Sequence, residues 1–199
     1  MRVLPLSVAQ QGLWFLSQVD AATSAAYNMV FAFETAAALD EEILRRSLEM
    51  MAQRHEILRS SINSVGGIPH LQVAEADAVT PVPIRIAVLS VQDAALRESG
   101  VPIDLSVQPF YRVVTIDAAS NSGPKGGLIC TIPHLVFDEA SAIVFFDELA
   151  RVYSDFARGQ VPQFDSSPVG FQSIVQRERD FIASSQGRMV IERAIDRLR

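Results

Sequence analysis

The stretch that most restricts the fold runs from residue 127 to 150, GLICTIPHLVFDEASAIVFFDELA. It opens with an apolar, strand-like run, GLICTIP. From about Ser141 to Phe156 the chain becomes amphipathic, with Ala142, Phe146, Leu149, Tyr153 and Phe156 on one helical face. PFYRVVTID, residues 109–117, reads as a neighbouring strand joined to the first by the polar, glycine-rich AASNSGPKGG. The two strands are expected to be antiparallel.

The strongest helical pattern is ALDEEILRRSLEMMAQRHEILRSSI, residues 38–62. Asp40 is placed to cap it, and Glu41 and Glu42 fall where the helix dipole favours acids. Leu44, Leu48, Met51, His55 and Leu58 follow at spacings of three and four, which predicts one buried stripe. LSVAQQGLWFLSQV predicts a short helix with Leu13, Trp14 and Leu16 inward, and YNMVFAFE a strand. VGGIP reads as a turn into a short strand, HLQVA. VPIRIAVLS reads as a further strand, followed by a helix, VQDAALRES, that stops at Gly100. VPQFDSSP is an irregular crossing before two last helical segments, GFQSIVQRERDFIA and RMVIERAIDRL. Interspersed strands and helices predict an α/β two-layer sandwich with a mixed, largely antiparallel sheet and packed helices, in preference to a bundle or an all-β fold. No repeat or linker divides residues 1–199, so they read as a single unit.

With 49% apolar and 20% charged residues, the composition is that of a globular chain with a sizeable core. The net charge of −6 and the lack of a basic patch argue against nucleic acid as a partner. A lone cysteine, Cys130, excludes an internal disulfide framework and is compatible with a reducing cytosol, so a cytoplasmic setting is the expectation. The N-terminus shows no secretory pattern, and the longest apolar runs fall short of the roughly 20 residues of a membrane span.

His134 sits between strand and helix, where ligand chemistry is common, and an imidazole there suits a general base. The competing reading is a loop histidine satisfied by backbone. Asp138 is placed either to cap the incoming helix or to pair with a distant cation. Arg54 and Arg59, five apart, do not share a helical face, so one is expected to face solvent while the other reaches an acid. Arg59 paired to Asp138 would lock the His134 loop. His55 reads as a hydrogen-bonded core histidine and His70 as unremarkable. A metal site is not expected, because Cys130 and His134 lie about 10 Å apart along a strand with no second close ligand pair. The double glycines at 66–67 and 126–127 read as turns, and no nucleotide-binding glycine motif or nucleophile elbow is present.

Four segments together carry a family likeness. LSVAQQGLWFL resembles SxAQxRLWxL, with Gly12 at the arginine. RHEILRSSI resembles RHExLRTxF through Arg54, His55, Glu56, Leu58 and Arg59. VPIDLSVQPFYRV resembles PFDLxxGPLxR through Asp104, Leu105, Pro109 and Arg112, and IPHLVFDEAS falls where HHxxxDG is found. In this order they resemble the N-terminal half of a condensation domain from a nonribosomal peptide synthetase. The resemblance implies a chloramphenicol-acetyltransferase-like half-domain lacking its C-terminal partner half. It also implies amide formation between a carrier-bound acyl or peptidyl thioester and a carrier-bound aminoacyl amine.

By the same resemblance His134 is the catalytic histidine, while Asp138, Arg59 and Arg54 support the site, and His55 and Trp14 serve packing. Pro133 stands at the motif's first histidine and Glu139 at its glycine. With Ser141 they are expected to line the substrate tunnel, and Glu139 to crowd it. No cofactor is expected to be bound intrinsically, since both substrates ride on phosphopantetheine arms of partner carrier domains. A C-terminal half or self-association is expected to complete the tunnel, without nucleic acid or membrane. A degenerate interaction module and a free thioester-dependent acyltransferase are the alternatives.

Overall fold

A computed structural model describes residues 1–79, 81–88, 90–118 and 126–198. Among these residues are seven strands: β1 (Arg2–Pro5), β2 (Asn28–Thr35), β3 (Ser60–Val65), β4 (Ile68–Val73), β5 (Ile84–Val88), β6 (Arg112–Ala118) and β7 (Gly126–Pro133). They divide into a four-stranded sheet of order β2-β7-β6-β5 and a three-stranded sheet of order β1-β4-β3. In the larger sheet β7 runs antiparallel to both β2 and β6, as expected for the β6–β7 pair, while β5 runs parallel to β6. Residues 119–125, most of the AASNSGPKGG connection, lie outside the described residues.

The helices are α1 (Val8–Ser17), α2 (Ala21–Ala26), α3 (Glu41–Arg54), α4 (Val91–Ser99), α5 (Glu139–Ala157), α6 (Phe171–Ala183) and α7 (Ser185–Leu198). α3 and α5 cover one face of the larger sheet, where Leu44, Leu48, Met51, Phe145, Leu149 and Val152 meet Leu128, Cys130 and Ile132 of β7. On the other face Val91 and Ala94 of α4 pack with Val114, Ile116 and Ile129. Strand β7 is therefore covered on both sides, which is why its sequence is apolar without alternation. A third cluster joins α1 to the small sheet through Leu4, Leu6, Trp14, Ile62, Leu71 and Phe110. The α/β sandwich with a mixed, largely antiparallel sheet is thus present.

Several local expectations change. Gly126 and Gly127 are not a turn but the first residues of β7, paired with Thr35 and Glu34. A Cβ at Gly127 would lie 2.6 Å from Val91 Cγ2 and 3.1 Å from the Phe33 carbonyl oxygen, so glycine is needed there for close packing. Gly66 and Gly67 do form a turn, with φ of 60° and 82°, linking β3 to β4. Leu16 is exposed; Gln10 and Trp14 are the buried positions of α1, and Leu13 packs half-buried against the same cluster as Trp14. Gln10 is held by a reciprocal cap with Ser7.

The long helical pattern ends early. Asp40 caps α3 by accepting from the Ile43 amide at 3.0 Å. At His55 the backbone turns extended, with φ −105° and ψ 102°. Glu56–Arg59 makes a single 3₁₀ turn, and residues 60–65 become β3 because β4 lies across the glycine turn to pair with them. Leu58 stays buried, but from a 3₁₀ turn and not a continuous helix.

Candidate active site

The turn after β7 is fixed by side chains that enter two different cores. Leu135 is buried with the α1 cluster, Phe137 with the α3–α5 cluster, and Val136 packs against both. His134 and Asp138 flank this pinned segment and remain exposed. The His134 backbone amide continues the sheet by donating to the Tyr27 carbonyl at 2.7 Å. Its Nδ1 lies 2.7 Å from the Phe137 carbonyl oxygen. A carbonyl only accepts, so Nδ1 carries a proton; Nε2 of the neutral ring then holds a lone pair with no protein partner among the described residues.

Asp138 is the N-cap of α5. Its Oδ1 accepts from the Ser141 amide at 2.8 Å and from the Ser141 hydroxyl at 2.6 Å. These bonds, hydroxyl first and then amide, hold its carboxyl below the usual range, and nearby His134 adds to the effect. Capping is therefore the role Asp138 fills, and the expected Arg59–Asp138 pair is absent. Arg59 instead donates to the backbone carbonyls of Ala74 at 3.0 Å, Ala52 at 2.7 Å and Gln53 at 2.8 Å, tying the end of α3 to the chain leaving β4. Its fork is drawn there by carbonyls that the last turn of α3 leaves without helical partners.

Arg54 is the arginine that reaches an acid. Its Nε lies 3.1 Å from both oxygens of Glu148, and a terminal nitrogen is 3.0 Å from Oε1. His55 Nε2 completes the group at 2.6 Å from Glu148 Oε2. Burial opposes the Glu148 charge, but the bonds from Arg54 and His55 outweigh it and keep the carboxyl below the usual range. Glu148 is a site residue that the motifs do not single out. The available signal is its place on the inward stripe of α5 between Phe145 and Val152, since an acid at a core position requires a cation.

Arg54, His55, Arg59, His134 and Asp138 border one cavity of about 880 Å³. Its walls come from the end of α3 and the 3₁₀ turn (Met50, Arg54, His55, Glu56), from His134–Asp138 with Ser141, and from the crossing that leads into α6 (Phe164, Val169, Phe171). Pro133 and Glu139 do not line it. Pro133 belongs to a separate space of about 10 Å³ beside Tyr27 and Leu105, and Glu139 is exposed in the first turn of α5. Glu139 stays outside the His134 cavity because α5 carries that side chain outward. Of the three expected lining residues, Ser141 alone borders the cavity. Cys130 is buried inside β7, where desolvation pushes its thiol up to about 12. Among the described residues no three His, Cys, Asp or Glu side chains gather as metal ligands, and no helix is long and apolar enough to cross a membrane.

The fold and the placement of His134 define a condensation-type half-domain. The first condensation domain of the calcium-dependent antibiotic synthetase, solved with a substrate analogue, superposes with a TM-score of 0.78 at 22% identity, over 93% of this chain and 45% of that one. The epimerization domain from the third module of tyrocidine synthetase B superposes with a TM-score of 0.77 at 16% identity, over 92% of this chain and 42% of that one. A linear gramicidin synthase of Brevibacillus parabrevis is 28% identical over 187 residues, which are 90% of this chain and 2% of that protein. The condensation-domain profile matches residues 1–189, and the chain belongs to that family. It spans under half of those solved domains and a small fraction of that synthase.

Proposed function

We propose that the chain is the histidine-bearing half of a condensation domain that joins a carrier-bound acyl or peptidyl thioester to a carrier-bound aminoacyl amine. The observation that carries this reading is the His134 ring, with Nδ1 spent on the Phe137 carbonyl and Nε2 left as an acceptor beside the cavity. Nε2 accepts an N–H of the neutral acceptor amine and thereby aims its lone pair at the thioester carbonyl. As the C–N bond forms, that proton passes to Nε2; the tetrahedral centre then collapses with cleavage of C–S, and the departing thiolate takes up the proton. Asp138 acts on this step through the start of α5, and Arg54 through Glu148. Both substrates arrive on phosphopantetheine arms, and no resident cofactor takes part in this reading. A C-terminal half, or a second copy, closes the open side of the cavity.

The test is amide formation between two loaded carrier domains, read by intact-protein mass, with the chain alone and with a C-terminal condensation half. His134→Ala is expected to slow product formation by about 10²-fold or more, the usual contribution of a positioned base. Undiminished product in that variant refutes the role of His134. Carrier binding without product in every combination assigns the interaction-module reading. Turnover of a carrier-free thioester assigns the free acyltransferase.

A further inference from the structure

Residues 158–170 cross from α5 to α6 without helix or strand, and their second half forms part of the wall of the His134 cavity. Two charged side chains, separated in sequence by His55 alone, hold this segment. Arg54 donates to the Ser166 carbonyl at 2.6 Å, and its guanidinium lies 4.0 Å from the centre of the Phe164 ring. Glu56 accepts from the Phe171 amide, the first of α6, at 2.9 Å. The residue in the N-cap position is Gly170, which has no side chain to cap with, so a carboxylate 115 positions from Phe171 supplies the acceptor. A side chain at 170 would intrude on that contact, since a Cβ there would lie 3.2 Å from Glu56 Oε1. The other Glu56 oxygen pairs with Arg2 of β1.

We infer that Arg54 and Glu56 form a two-point latch that holds residues 164–171 as a wall of the His134 cavity, a positioning role that rests on the proposed amide-forming reaction. Neither side chain carries the chemistry. Arg54 fixes the segment at its middle and Glu56 fixes its end, so the space beside His134 keeps one width while substrates enter.

The test combines amide hydrogen exchange over residues 160–172 with steady-state kinetics on loaded carriers. Glu56→Ala is expected to speed exchange in that window by about tenfold, equivalent to about 1.4 kcal/mol. It is also expected to raise KM about tenfold while kcat stays within about twofold, as removal of a binding wall requires. Glu56→Gln keeps an acceptor oxygen for the Phe171 amide and is expected to restore both readings. Arg2→Gln removes only the partner ion and is expected to leave the window as in the native protein. Unchanged exchange in Glu56→Ala overturns the latch, as does a Gln variant as loose as the Ala variant. Faster exchange with unchanged KM overturns the positioning role. A native protein that makes no amide overturns the reaction, and exchange alone then decides the latch.

Discussion

Replacing Glu148 tests whether the Arg54–Glu148–His55 group is as costly to break as its burial requires. The Arg54 and Glu148 side chains are only 13% and 12% exposed, so Glu148→Ala strands a cation that water cannot fully reach. Breaking a buried pair by removing one partner costs about 3–5 kcal/mol. Arg54 keeps the Ser166 carbonyl and the Phe164 ring, which lowers the expected loss to about 2–4 kcal/mol. For a chain of this size, a loss of about 3 kcal/mol lowers Tm by about 6–12 °C. Urea unfolding at pH 7 measures the same quantity through its midpoint. The double variant Arg54→Met/Glu148→Leu removes both charges and is expected to be more stable than either single variant. Equal or additive losses would refute the stranded-charge argument.

The pH dependence has a definite sign. Because the folded carboxyl of Glu148 titrates below its ordinary value, acid protonates it more readily in the unfolded chain. Its stabilisation is complete above the ordinary carboxylate range and is lost as pH falls through and below it, so the Glu148→Ala stability curve should be flatter there. Two further outcomes follow from the geometry. Asp138→Ala removes the α5 cap and should cost about 1 kcal/mol, whereas Asp138→Asn, which keeps an acceptor, should cost less; thermal melts of the two decide it. Gly127→Ala forces a methyl against Val91 and the Phe33 carbonyl and should destabilise by about 1–3 kcal/mol in urea, with a native-like midpoint showing that β2 and α4 yield more easily than the packing implies.

Much of the larger sheet was legible because local pattern and final environment agree. The apolar run of β7 and the inward leucines of α3 need only a sheet and a helix to satisfy them. The small sheet was harder to read. Ile62 continues the three-and-four spacing of α3, yet it lies in β3, because pairing with Leu71 of β4 outweighs local helical preference. Residues 2–5 are too few to show alternation, and they form β1 only by adding to β4. At the site, the strand–histidine–helix order located His134, and the motif drew attention to both arginines. Their partners could not be read in the same way. Whether Arg54 or Arg59 meets an acid depends on where α3 stops, and that point is set by tertiary contacts of His55 and the 3₁₀ turn. Glu148, 93 positions from His55, was discoverable only as a charge out of place.

The partner of the His134 ring has one more consequence. In a hydrolase triad, a carboxylate holds the imidazole and stabilises the imidazolium that forms. Here the holder is the Phe137 carbonyl, a neutral dipole that does not titrate. Orientation of the ring is consequently uncoupled from the protonation of a bonded acid and persists whether the solution is acidic or neutral. The Asp138 oxygen that caps α5 is spent on Ser141, so the ring and the start of α5 are held by separate acceptors on either side of one short turn.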